Sequence, residues 1–578
     1  MADRVYRDPV LGSISFDRDT EGYVIELVDT PEFQRLRRVR QLGAAFLVFH
    51  GAEHSRFTHS VGVAYLAKRI FSRLTQDSNF PNDIDQDELK KAVVAGALLH
   101  DIGHGPFSHL FERVFDQDHE AWGLRIIEEP ETQIHQVLEK YKLVDAVKKI
   151  LAKTFKPRFA RDIISSQLDA DRLDYLLRDS YMTGVAYGRY DLDWLLEVIE
   201  LGRIPTNGKD LGLTVNFKKG WHAAEQFVIG RYLMYQQVYF HKTIRSAERM
   251  IKLVFERLTD MGHEHQDPKF CPDPLKKLLN RDRGGISAST YLALDDEFML
   301  ACMNLWATEE AEDTVLRDLC SRLLKRNLFK TAVIDQEKIK DHIKYASAIN
   351  ALQDAMRESG FNPKYYLAFD SAEDFAYRDM MWFVAKEKSP EDIWLAEDGE
   401  AKQPLSNPTV SPLIDSVRNK ATTTRRMCYP AELKTLVSKH LQQYLSDLID
   451  VSALQWAWWL RSLLLNQYRR RGPAEQEVVH CETRTGRKAD DFAHSETETL
   501  QSADLIGRRV AVPLTSRAMR FVAGVSPRGL GSLLVSFRTR SGVLSRGLAV
   551  SITLGRRQSG RLSRTVRRRP PRTEHQRP

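Results

Sequence analysis

The sequence predicts a mainly α-helical protein: a helical bundle, then a smaller α+β region, then a disordered basic tail. Three observations predict it. Apolar residues recur at three- and four-residue steps through the first half of the chain, the period of a helix with one buried face. A strand-like segment enters only beyond that half, at Tyr365–Asp370. The last stretch has no period and turns to Arg, Ser and Gly, a bias that builds no packed core. On this reading residues 1–260 form the helical domain, 261–450 the α+β region and 451–578 the low-complexity tail.

Charge supports the same division. Residues 471–578 hold 21 Lys and Arg against 9 Asp and Glu, whereas residues 1–470 hold 64 against 69. The net charge of +7 therefore comes from the tail. The tail reads either as an arm for nucleic acid or acidic lipid, or as a solvated extension. Its change of composition after Asn466 also fits an out-of-frame ending. The start, MADRVYRDPV, lacks the apolar stretch of a secretory signal, and no uncharged apolar run reaches the roughly 20 residues that span a bilayer. A cytoplasmic protein without a membrane anchor is expected. Five scattered cysteines, with no CxxC pair, support neither a disulfide framework nor a zinc ribbon.

The elements follow in order. In the segment Phe57–Leu74, Val63, Leu66, Ala67, Ile70, Phe71 and Leu74 form one helical stripe, and His59 lies one turn before Val63 on the same face, so it points inward. A second helix runs from about Asp87 to His100 and is stopped by Gly103, Gly105 and Pro106. His100 and Asp101 thus sit side by side where a helix ends. A further helix, beginning near Phe107, carries His109 and Glu112 three residues apart on one side. In Arg161–Asp179, the residues Ile164, Leu168, Asp171 and Tyr175 share a face, while Asp169 with Arg172 and Asp174 with Arg178 are expected as ordinary surface pairs. Asp295–Lys330 reads as helix, Pro404–Pro412 as a linker and Arg425–Leu445 as helical again.

Imidazole and carboxylate together suit a hard or borderline divalent cation, so His59, His100, Asp101 and Asp171 are candidate ligands of one metal centre. An Asp on an apolar stripe needs compensation. For Asp171 a bound cation supplies it, or else a buried salt bridge with an arginine such as Arg56. Eight of the seventeen histidines fall within residues 50–135; His50, His54 and His135 read as structural, and the others gather round the turn at Gly103.

At this point the chain resembles a family. RLRRVRQLG (35–43), RFTHSVGV (56–63), LLHDIGHGPFSHLFE (98–112), LDADRLDYLLRDS (168–180) and RNLFK (326–330) resemble the HD-domain deoxynucleoside triphosphate triphosphohydrolases, which include bacterial dGTPases and the vertebrate SAM-and-HD-domain protein. The likeness runs over residues 1–345 and more weakly to about 445. It implies an HD-domain helical bundle that hydrolyses deoxynucleoside triphosphates, dGTP among them, to deoxynucleoside and triphosphate. It implies that His59, His100, Asp101 and Asp171 bind a divalent metal; Mg, Mn, Fe and Zn are all compatible with that donor set.

The resemblance also implies that His109 handles the proton at the attacked phosphorus, that Glu112 orients it, and that His104 and His119 meet the phosphates. Arg56, Arg172 and Arg231 would supply fixed positive charge; some relatives have Lys where this chain has Arg172. Gln41, Leu42, Tyr175 and Asp179 match the sugar pocket, with Tyr235 and Tyr239 beside it. Tyr235 and Phe240 stand where the vertebrate protein has polar residues near the base, so base preference does not transfer. Arg4, Val5, Asp29, Gln34, Arg37, Arg326 and Lys330 match positions that read a GTP or dGTP activator between subunits, which implies a homo-oligomer, dimer or tetramer. A charged amphipathic helix over Asp29–Arg40 is the plainer reading of part of that set. Two other classes compete: another HD-type phosphohydrolase, acting as a nucleotide phosphodiesterase or monophosphatase, and a nucleotide sensor or nucleic-acid binder.

Overall fold

The computed structural model describes residues 3–446, apart from 116, 206–209, 265–267, 280–285, 309–311, 375–391 and 419–421, and four short strands beyond. The chain divides into two units, Met1–Ser452 and Ala453–Pro578. In the second, Val479–Thr483 pairs antiparallel with Val550–Leu554, and Met519–Val525 with Gly531–Phe537. The rest of the tail, and with it the expected disorder and nucleic-acid contact, lies outside the described residues.

The first unit opens with a hairpin, β1 (Arg4–Asp8) and β2 (Gly12–Phe16), paired from Arg4↔Phe16 to Asp8↔Gly12. The bundle follows: α1 (Arg56–Leu74), α2 (Gln86–Leu99), α3 (His109–Phe115), α4 (His119–Glu128) and α5 (Ala170–Thr183). Three of these starts have a local cause. Asp85, Asp118 and Asp169 accept hydrogen bonds from the first free N–H groups of α2, α4 and α5, as N-cap carboxylates do. Gly184, in the left-handed conformation at φ 74°, ends α5. Because α5 begins only at Ala170, Ile164 and Leu168 do not share its face with Asp171; they belong to the approach. Helix α1 packs on both α2 and α5, and Val63, Leu66, Ala67 and Ile70 are fully buried there.

Farther on, α6 (Trp221–Met234) runs into a π-helical turn at Tyr235–Tyr239, and after Phe240 and His241 the chain continues as α7 (Lys242–His263). The boundary expected after residue 260 falls inside α7, which packs into a second apolar core built mostly from residues 247–444. The first core draws on residues 14–238 and also on Ile393, Leu395, Leu405 and Ile414. The two cores therefore do not follow chain order. A closed four-strand barrel joins Ile199–Arg203 and Leu211–Asn216 to Trp394–Glu397 and Glu400–Pro404.

Three expectations change here. Asp295–Lys330 is two helices, Asp296–Trp306 and Thr314–Leu324, and Lys330 already begins a strand. The strand expected at Tyr365–Asp370 lies at Ala368–Asp374, after a short helix Pro363–Tyr366. Arg425–Tyr429 belongs to the strand Thr422–Tyr429, the centre of a three-strand sheet, and helix resumes only at Lys434–Leu441. The fold class stands: mainly α, with α+β structure toward the C-terminal side.

Candidate metal centre and phosphate-facing site

The loop that leaves α2 is held from both cores. Phe107 and Ser108 take left-handed backbone angles, φ 53° and 51°, which for such side chains persist only under outside restraint. Asp296 Oδ1 accepts the Phe107 N–H at 2.7 Å, its Oδ2 accepts the Arg40 N–H at 3.0 Å, and Arg56 Nη2 donates to Ser108 Oγ at 2.8 Å. The Tyr291 hydroxyl donates to Gly103 O at 2.6 Å while its ring stacks on Trp122 at 3.9 Å.

At Gly103 the loop touches α4 backbone to backbone: a Cβ there would stand 2.1 Å from His119 O and 2.4 Å from Gly123 N. Neither neighbour is a flexible tip. Gly103→Ala is expected to cost about 1–3 kcal/mol, as overpacking does, and to push α4 away from the loop; an unchanged urea midpoint would refute this.

Burial pushes the Asp296 carboxyl up to about 6, against the backbone N–H groups it accepts and the charges of Arg40 and Arg56. A carboxyl whose pKa is raised by folding gives stability that is complete below about pH 4 and is lost as pH rises through about 6. The unfolding free energy of Asp296→Asn, taken relative to wild type, is therefore expected to gain up to about 3 kcal/mol between pH 4 and 7. Chemical denaturation across that range checks the sign.

Within this frame His59, His100 and Asp171 bring their ligand atoms within 4.8 Å of one another, and Asp101 lies against both imidazoles through different oxygens. Their ligand atoms come from three helices, His59 on α1, His100 and Asp101 at the end of α2, and Asp171 in the first turn of α5. His59 Nε2 lies 3.1 Å from Asp171 Oδ1 and 3.6 Å from Asp101 Oδ2; His100 Nε2 lies 3.4 Å from Asp101 Oδ1 and 3.6 Å from Asp171 Oδ1. Ligands at about 2.1 Å from one ion are spaced by roughly 3.0–3.4 Å, close to the spacing of His59, His100 and Asp171, which could hold a cation.

The far sides of both rings are tied as metal-binding histidines require. His100 Nδ1 meets Ala97 O at 2.8 Å and His59 Nδ1 meets Asp174 Oδ2 at 2.8 Å. Those partners only accept, so each proton belongs on Nδ1 and each Nε2 keeps its lone pair. Both Nε2 atoms are buried and make no hydrogen bond. Burial works against protonation of His59, yet Asp171, Asp174 and Asp101 outweigh it and push its pKa up to about 10. The field that draws a proton there would equally draw a metal ion.

A second group adjoins the first. His104 Nε2 lies 3.2 Å from Asp101 Oδ1, and Glu112 Oε1 lies 3.3 Å from His104 Nδ1 and 2.9 Å from His119 Nδ1. The two rings stack, centroids 3.9 Å apart and planes within 12°. The ligand atoms of this trio also lie within 4.8 Å of one another, close enough to hold an ion, with the Glu112 oxygen between the two imidazole nitrogens. Burial, with the charges of Arg56 and His119, lowers His104 to about 4, whereas Glu112 raises His119 against its burial. The two stacked rings are thus shifted in opposite directions. His109 opens α3, but its side chain lies outside the described residues.

The remaining candidates fall as follows. Arg56 bears on Asp101, Nη1 to Oδ2 at 2.5 Å, and not on Asp171. Arg172 grips Asp169 and Arg178 grips Asp174, but both pairs are buried, not at the surface. Arg231 donates to Gln167 Oε1 at 3.1 Å with its guanidinium over Tyr235. Tyr239 packs edge-on against both Tyr175 and Tyr235, and its hydroxyl donates to Asp179 Oδ2 at 2.8 Å; Asp179 Oδ1 meets His54 Nε2 at 2.8 Å. Gln41 Oε1 is buried without a hydrogen-bond partner, and Leu42 packs near Ala45, Ala52 and Ile244.

Of the regulatory set, Arg4 pairs with Asp29 at 3.0 Å, Arg37 Nε donates to Gln34 Oε1 at 2.8 Å, and Arg326 Nε donates to Leu47 O at 2.7 Å. Val5 is 53% exposed and Lys330 is exposed at a strand start. Over Asp29–Arg40 there is no single amphipathic helix: Asp29 ends the helix Gly22–Asp29, and a short helix Pro31–Gln34 and a 3-10 turn, Arg35–Arg38, follow. Sequence reasoning missed Asp174, Gln167 and Asp296. The Asp174–Arg178 spacing signalled an ion pair, but not its burial.

A helical bundle that brings two histidines and an aspartate within ligand distance of one another, with a second aspartate and arginines beside them, has the donor set expected of an HD-type phosphohydrolase. Comparison with known proteins agrees. Residues 56–179 match the HD domain and residues 209–271 the HD associated region. The chain is 36% identical to YwfO of Bacillus subtilis over 441 residues, 76% of this chain and 94% of that protein. It is 26% identical over 361 residues to the deoxynucleoside triphosphate triphosphohydrolase SAMHD1 of Gallus gallus, covering 57% of this chain and 55% of that one. The solved phosphohydrolase of Bacteroides thetaiotaomicron superposes with a TM-score of 0.61 at 27% identity, over 74% of this chain and all of that one. The chain belongs to the HD-domain family. Among the described residues no helix is long and apolar enough to cross a membrane.

Proposed function

We propose that this protein hydrolyses deoxynucleoside triphosphates at the α-phosphorus, releasing deoxynucleoside and intact triphosphate. The observation that carries the reading is the adjacency of two unlike groups: the His59, His100, Asp101 and Asp171 cluster, and the His104–Glu112–His119 stack that shares Asp101 with it. The first would hold a divalent cation, which when bound polarises a phosphate oxygen and activates water. The stack then serves the phosphates. His119, whose proton Glu112 helps to hold, and His104 offer hydrogen bonds to phosphate oxygens. Arg56, Arg172 and Arg231 add fixed positive charge toward three to four phosphate charges.

Bond making and breaking are simple. The water oxygen bonds to phosphorus, the bond to O5′ breaks, and a proton reaches O5′, a task we assign to His109 with Glu112 by the family likeness. Tyr175, Tyr235 and Tyr239 wall the nucleoside, and Gln41 and Asp179 face its sugar. Close packing at C2′ would select deoxynucleotides. Incubating the protein with each dNTP and Mg²⁺ or Mn²⁺ and separating products by ion exchange tests this. Deoxynucleoside plus triphosphate is expected; orthophosphate, pyrophosphate or no turnover overturns it.

Arg4, Asp29, Gln34 and Arg37 carry donors and acceptors suited to a guanine edge, and with Val5, Arg326 and Lys330 we read them as an activator site between subunits. In one chain these polar groups pair with one another, so a GTP or dGTP activator would replace those pairs. Light scattering with and without dGTP should then show a dimer passing to a tetramer; unchanged mass and activity remove this part.

A further inference from the structure

The metal ligand His59 is held from behind by a line of three side chains. Asp174 Oδ2 takes its Nδ1–H. Arg178 forks onto Asp174, Nε to Oδ2 and Nη2 to Oδ1, each at 2.7 Å, and its third nitrogen, Nη1, donates to Asp8 Oδ2 at 2.7 Å. Asp8 ends β1, and its other oxygen accepts the N–H groups of Val10 and Leu11 at 2.9 and 2.8 Å, closing the turn of the N-terminal hairpin. The line is dry: the side chains of Asp174, Arg178 and Asp8 are 0%, 1% and 6% exposed. Gly62, one turn after His59, leaves it room, since a Cβ there would stand 2.1 Å from Asp174 Oδ1 and 2.5 Å from Arg178 Nη2.

We infer that Asp8 and Arg178 are positioning residues for the metal ligand His59, so that docking of the N-terminal hairpin sets the affinity of the centre for its cation. The electrostatics give the sign. Asp8 takes part of the Arg178 charge, which leaves Asp174 a stronger acceptor for the Nδ1–H of His59 and so makes Nε2 a better donor to metal. With the hairpin undocked, Arg178 draws on Asp174 alone and the ligand weakens. The inference rests on the metal centre of the proposed function, not on the identity of the nucleotide. It places regulation at the hairpin that also carries Arg4.

The test is Mn²⁺ binding to the full chain, followed by electron paramagnetic resonance. Asp8→Asn keeps an oxygen for Val10 and Leu11 but turns an amide N–H toward Arg178. Its Mn²⁺ affinity is expected to fall about tenfold, the low end for outer partners of a ligand. Ser13→Ala, on the same hairpin and off the line, is expected to stay within about twofold. Equal affinity in wild type and Asp8→Asn, or an equal fall in Ser13→Ala, overturns the inference while leaving the proposed function standing; no Mn²⁺ binding by wild type overturns both.

Should Asp8→Asn fail to fold, the wild type still decides. Coupling is reciprocal, so Mn²⁺ must slow hydrogen exchange at hairpin amides between Arg4 and Phe16 about tenfold, and exchange indifferent to Mn²⁺ overturns the inference.

Discussion

Asp171→Asn is expected to leave a folded chain that loses its divalent cation on dialysis and hydrolyses substrate on the order of 10³-fold more slowly. Both imidazole Nε2 atoms face Asp171 Oδ1, at 3.1 and 3.6 Å, so the substitution removes a charge from the middle of the ligand set. The amide keeps the volume. Folding should survive, because Asp171 is the most open of the four candidate ligands, with 30% of its side chain exposed, and Asp169 remains to cap α5. Loss of several kcal/mol of charge stabilisation at the reacting phosphate corresponds to about three powers of ten in rate. Metal content per chain after dialysis and the yield of triphosphate are the two measurements. Full metal occupancy with undiminished turnover would remove Asp171 from the centre.

Asp174→Ala has its largest effect on the fold. Asp174 and Arg178 are both fully enclosed, and deleting one partner of a buried pair strands the other, at a cost of about 3–5 kcal/mol. Asp8 alone would then answer the Arg178 charge. His59 would lose its Nδ1 acceptor at the same time, so the surviving folded fraction should also bind metal about 10- to 100-fold more weakly. Urea unfolding gives the first quantity, with an unchanged slope as the check that only stability moved. A shift below about 1 kcal/mol would mean that water reaches Arg178.

What the sequence disclosed depended on what its patterns measure. The inward placement of His59 was legible because Val63, Leu66 and Ile70 mark one face of α1, and the convergence of His100 and Asp101 followed from the Gly103–Pro106 stop. Charge pairs were legible as pairs but not as buried pairs, since the spacing of Asp174 and Arg178 is the same on a wet surface as under α1. The salt bridge offered for Asp171 as the alternative to a cation does not form with Arg56, which opens α1 against the end of α2 and pairs with Asp101, a meeting of elements that no local spacing encodes. Farther along, Arg425–Tyr429 reads with the helical stretch to Leu445, yet Thr422–Tyr429 is a central strand with partners on both edges. Long-range pairing overrode local pattern there.

The wide turn at Tyr235–Tyr239 has a consequence for how this chain can vary. A π turn carries one residue more than an α turn, and here the surplus falls between Arg231, tied to Gln167, and Tyr239, tied to Asp179. Removing one residue would let the backbone relax into ordinary helix with little local cost, yet everything downstream would swing by about 100° and carry the Tyr239 hydroxyl off Asp179. Length in this stretch should thus be far less tolerant of change than side-chain identity, and the surplus residue acts as the shim that squares one half of the molecule to the other.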